Sequence, residues 1–122
     1  MVLKWWWGTP PPTLHLIYEG RVVAELKRER IEDQELYHFR YLPAFKEASL
    51  GSLPGLSLDV VDHWSEELWS FFVERIPDID RPEIQALLKE RKINRYDQLQ
   101  LLKELGSRAV TDPFEIRVAE AS

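Results

Sequence analysis

The stretch Leu14-His-Leu-Ile-Tyr-Glu-Gly-Arg-Val-Val-Ala-Glu-Leu26 lies within two β-rich runs, 13–18 and 21–27, split by Glu19-Gly20. Two such runs around a two-residue turn ending in glycine predict a β-hairpin, because mirror-image hairpin turns need positive φ and glycine takes it freely. Downstream, residues 35–41 alternate. Tyr37, Phe39 and Tyr41 share one face and Leu36, His38 and Arg40 the other, which is the period of a third strand. Pro43 ends it. The charged residues 28–35 between these runs are expected to form a loop. Residues 49–58 (SLGSLPGLSL), with two glycines and a proline, read as a loop with room for a short extended piece.

Residues 59–76 are expected to be helical. At 100° per residue Val61, Trp64, Leu68, Trp69, Phe71, Phe72, Val73 and Ile76 span a wide apolar arc, with Arg75 intruding and Pro77 stopping the run. Asp80 with Glu83 suits a capping box, and Pro82 fits the first turn of a second helix whose stripe is Ile84, Leu87 and Leu88. Asn94 is the expected N-cap of a third helix, with Asp97 favourable near its positive end. Tyr96, Leu99, Leu102 and Leu105 should face inward there, and Gly106 suits the C′ position. Phe114–Val118 alternates as a final short strand returning to the sheet. Strands and helices are thus segregated, which predicts an α+β fold: a small antiparallel or mixed sheet packed with three helices. The domain covers 13–118. Residues 1–12, with Trp5-Trp6-Trp7 and Pro10-Pro11-Pro12, form an extension whose prolines favour a stiff, extended backbone.

Size and composition exclude several function classes. The chain has 122 residues, enough for one ordinary domain but not for a kinase or a dinucleotide-binding enzyme with its substrate domain. It lacks cysteine, which rules out a disulfide framework, a thiolate zinc site and a thiol nucleophile. With no signal-peptide pattern and no apolar run of bilayer length, a cytoplasmic location is expected, away from membranes. The net charge of -5 is unevenly spread. Residues 59–80 carry seven acidic side chains against Arg75 alone. Such a surface repels phosphates, so no direct nucleic-acid partner is expected.

Particular strings, in this order, resemble the N-terminal subdomain of HipA-family toxin kinases. Leu14–Leu26 resembles the family's opening hairpin, with Ala24 where glycine is common. His38–Phe45 (HFRYLPAF) resembles its F-x-Y-x-P-x-W element, with Phe45 in the tryptophan's place. Leu53–Leu58 resembles the LSLSLPL element, interrupted by Pro54-Gly55. Phe71–Asp78 (FFVERIPD) resembles FF-x-N-L-L-P-D/E, and Leu99–Val110 (LQLLKELGSRAV) resembles the helix ending LL-x-E-I-G-x-D-x-x-G-A; after Gly106, Thr111-Asp112-Pro113 depart from it. In the family the ATP-binding loops, catalytic aspartate and metal ligands lie downstream of this subdomain, so the resemblance implies no cofactor and no catalytic residue here. Standalone (HipS-like) members belong to tripartite toxin–antitoxin systems, where they bind and neutralise a shortened kinase. The resemblance therefore implies a non-enzymatic antitoxin that inhibits a HipA/HipT-like serine/threonine kinase. The alternative is an assembly subunit of a HipA/HipB-like repressor complex, reaching DNA only through a helix-turn-helix protein. Homo-oligomers are compatible with either.

Within this reading the acidic, aromatic helix 59–76 is the docking element. Trp64, near the centre of the apolar arc, is expected in the core. Trp69 and Val73, at its edge, are the expected partner contacts, since tryptophan is enriched at interface hot spots. Spacings of three and four would gather Asp59, Asp62 and Glu66 on one helix face. With Glu67 they could suggest a metal site or an acid/base pair, but a solvated face near a helix N-terminus is the simpler reading. As an acidic patch, Asp62 and Glu66 would speed association with a basic partner. His15, His38 and His63 lack metal-ligand spacing, and Gly51-Ser-Leu-Pro-Gly55 lacks the lysine of a phosphate loop. Trp5, Trp6 and Trp7 either cap the sheet edge or anchor a partner or second copy, because three adjacent large aromatics rarely stay wet.

Overall fold

The computed structural model describes residues 12–109 and 112–119. Nine elements follow one another: β1 (Leu14–Tyr18), β2 (Arg21–Ile31), β3 (Gln34–Tyr41), α1 (Pro43–Glu47), β4 (Asp62–Ser65), α2 (Ser70–Val73), α3 (Pro82–Arg91), α4 (Gln98–Leu105) and β5 (Phe114–Val118). The strands form one five-stranded antiparallel sheet in the order β4-β3-β2-β1-β5, so the class is α+β. Glu19 and Gly20 both have positive φ, the mirror-image turn expected of the β1–β2 hairpin. A register shift between Leu16 and Ile17 places a bulge in β1–β2. The final strand does return to the sheet, setting Leu14 opposite Val118 and Tyr18 opposite Phe114.

The charged run 28–35 is not a loop. β2 continues to Ile31, β3 begins at Gln34, and Glu32 and Asp33 make a second hairpin turn with positive φ. Pairing keeps the backbone satisfied, and the register sets Arg30 opposite Glu35, so charged side chains suit this strand extension.

The helix expected over 59–76 is also absent. Asp62–Ser65 is a strand paired antiparallel with β3, and only Ser70–Val73 is helical. Two local devices explain this. The Ser57 hydroxyl accepts the Asp59 N–H and the Ser65 hydroxyl accepts the Glu67 N–H, turning the chain on each side of β4. Meanwhile the outer edge of β3 needs acceptors, and the Val61 carbonyl takes the Tyr41 N–H at 3.1 Å.

The helices pack on one sheet face. Phe45, Phe71, Phe72, Leu99 and Leu102 meet Leu14, Leu26, Phe39 and Tyr41 in the main core. The Tyr41 hydroxyl donates to the Leu56 carbonyl and accepts the Leu53 N–H, pinning the 50–58 loop over this core. A smaller cluster of Leu88, Ile93 and Leu101 joins α3 to α4. Helix starts differ from expectation. Arg81, not Asp80, is the N-cap of α3, with no side-chain cap. Asp97, not Asn94, caps α4 by accepting the Gln100 N–H, while Asn94 closes a tight turn onto the Tyr96 N–H. That turn leaves Tyr96 84% exposed rather than inward. Gly106 ends α4 at φ -112, so its role is close approach: a Cβ there would lie 2.8 Å from Leu102 Cδ1.

Candidate functional site

The second sheet face is polar. Its register aligns Arg117, His15, Glu25, Arg40 and Asp62 in one row across all five strands. From Glu25 through Arg40 to Asp62 the signs alternate, with His15 at 3.4 Å from Glu25 and Arg40 at 3.6 Å from Asp62. Such a row neutralises itself and leaves little net field.

The row ends in an aromatic cluster at the β4 edge. The register sets Trp64 opposite His38, and their rings stack at 4.1 Å and 13°. Asp62, two residues back on the same face, meets His38 Nε2 through Oδ1 at 2.7 Å. His38 is therefore buried between a carboxylate and an indole, whereas Trp64 stays 44% exposed. Val60 and Val61 beside it are also exposed. The indole is held in a fixed pose by a buried neighbour, which lowers the entropy cost of using it as a contact. The hydrogen bond on His38 is to Asp62, and no hydroxyl among the described residues is bonded to the ring, so the pair does not form a nucleophile–base arrangement there.

Trp64 thus corrects the expectation that placed it in the core. In a four-residue edge strand its side chain points to the polar face, away from Phe39 and Tyr41. Trp69 sits at the N-cap of α2, half-buried against the main core, with its ring 6.2 Å from Phe39. Val73, at the end of α2, is exposed. Glu66 is exposed and accepts from Gln34. Asp59, Asp62 and Glu66 do not share a helix face, because no helix passes through them. Among the described residues no group of three or more metal-ligating side chains comes together. Trp5, Trp6 and Trp7 lie outside the described residues.

His63 and His15 remain apart from this cluster. His63 Nε2 donates to the Ser57 carbonyl at 2.8 Å, and His15 pairs with Glu25. Burial pushes the phenols of Tyr37 and Tyr41 above the usual range, so both stay neutral. Arg75, which interrupted the apolar arc, is buried by design of its surroundings. Its guanidinium holds both Asp112 oxygens at 2.7 Å and donates to the carbonyls of Gly106, Ser107 and Phe114. That hub ties α2 to the end of α4 and to β5, a structural task.

The clue to Trp64 was present in the sequence. Val60-Val61-Asp62-His63-Trp64 joins two β-branched residues and a tryptophan, types enriched in strands, but without the alternation and over too few residues to outweigh the longer helical pattern. No described helix is long and apolar enough to cross a membrane. No protein-family model matches the chain, and no curated protein matches it.

Proposed function

We propose that this chain is a non-enzymatic, cytoplasmic binding module that binds and inhibits a HipA-type serine/threonine kinase. The resemblance of five ordered strings supplies the partner class, and the observation that carries the contact is Trp64. A large aromatic that is pinned on one side and exposed on the other is the kind of side chain that anchors interfaces. Around it, residues 59–67 hold Asp59, Asp62, Glu66 and Glu67 with no lysine or arginine. This charge complements a basic nucleotide- and substrate-binding cleft. Within this reading the contact role passes from Trp69, which packs on the core, to Trp64, with Asp62 and Glu66 beside it, while Val73 lies on α2 at the opposite sheet face.

Co-expression with a HipA-type kinase from the same genome tests this, scored by growth rescue and co-purification. Both are expected, and Trp64→Ala should weaken the complex by more than about tenfold. Failure of both rescue and co-purification would remove the proposal.

A further inference from the structure

We propose that β4 is a strand-addition edge, which accepts an extended basic segment of a protein partner as a sixth strand. The ladder geometry gives the reason. In an antiparallel pair, residues alternate between bonding the neighbour and pointing away from it. The Tyr41 N–H bonds the Val61 carbonyl, so Val61, His63 and Ser65 face β3. The backbone N–H and C=O groups of Asp62 and Trp64 therefore point outward, and no described residue bonds them. An incoming strand can take these four groups without disturbing β3.

Charge names the occupant. Both contacts of Asp62, to His38 and to Arg40, use Oδ1, which leaves Oδ2 for a partner cation. The exposed indole of Trp64 offers a second cation site on the same face, two residues along. Asp59 and Glu67 flank the strand and form no ion pair among the described residues. A segment with lysine or arginine at alternate positions would set one cation against Asp62 and the next over Trp64. Its intervening side chains would lie beside Val61 and His63. A second copy of this chain would instead bring four carboxylates against four, which disfavours self-pairing at this edge.

The inference rests on β4 being the contact surface of the proposed function, yet its test separates the two. The probe is a synthetic decapeptide of alternating lysine and valine, added to the full chain while amide hydrogen exchange is followed by NMR. Its glutamate–valine counterpart and a version with a central proline serve as comparisons. The expected result is binding of the basic peptide alone, with exchange at the Asp62 and Trp64 amides slowed by about tenfold or more. Failure of the basic peptide to bind, or binding that leaves those two amides exchanging as before, would overturn strand addition. The same measurement on the co-purified kinase complex discriminates further. Kinase binding without protection of Asp62 and Trp64 would refute strand addition while leaving the inhibitory function standing. Peptide-induced protection in a chain that captures no kinase would do the reverse.

Discussion

Two side chains carry disproportionate weight at the scale of single residues. Arg75 is a buried cation satisfied by one carboxylate and three carbonyls. Removing it leaves Asp112 without its cation and the carbonyls without their guanidinium donor, so Arg75→Ala should lower stability by about 3–5 kcal/mol in urea unfolding. Arg75→Lys should recover little, because an ammonium cannot reproduce the planar fork. Tyr41 is the second. Its Phe variant strands the Leu53 N–H and the Leu56 carbonyl, at a cost of about 1–3 kcal/mol. Burial raises its folded-state pKa above the ordinary phenol value of 10.0. The folded chain thus holds this proton more tightly than the unfolded chain. Its contribution is intact below the unfolded value and is lost as pH rises through the folded one. Alkaline melts of the Tyr41→Phe protein should therefore decline less steeply than those of the parent, with Tyr37 contributing to the slope that remains.

Elements show where local pattern and tertiary demand agree and where they part. The first hairpin and the returning strand were legible because turn chemistry and alternation gave the same answer over both. Residues 59–76 were not, because one set of apolar positions satisfies two periods. Leu68, Phe71 and Phe72 reach the core whether or not a helix precedes them, so the helical arc was a property of composition. What settled the matter was a need elsewhere: the outer edge of β3 required a neighbour, and that neighbour need not lie close in sequence. The error propagated to the site, since the face assigned to each tryptophan followed from the helix. The two indoles now predict opposite phenotypes. Trp69→Ala should cost about 2–3 kcal/mol by cavity formation and spare a folded chain's contact surface. Trp64→Ala, which loses the stack on His38 but no core contact, should cost about 1–2 kcal/mol. Thermal melts of the two variants, set beside binding by each, would expose a reversed assignment.

For the molecule as a whole, charge is arranged by region. The polar sheet face cancels its own charges along a row, whereas the segment around β4 does not. Attraction to a basic partner should therefore act from this end of the sheet. Association rates measured by stopped flow should fall steeply as salt shortens the screening length to about 8 Å near physiological strength. A rate indifferent to salt would contradict that picture.

The pairing of β1 with β5 has a consequence for how the chain is made. Leu14 and Val118 are far apart in sequence, and Ala119 donates its N–H to the Thr13 carbonyl. During synthesis the β1–β2 hairpin can form early, but the far side of β1 waits until β5 has left the ribosome. Until then the sheet's open edge on that side lies along β1, which bears Leu14 and Leu16 without the acidic guard of β4, whereas in the folded chain it lies along β5, where the Ser107 carbonyl takes the Ile116 N–H. Crowded polysomes, more than the finished protein, are where this fold is most exposed to misassociation.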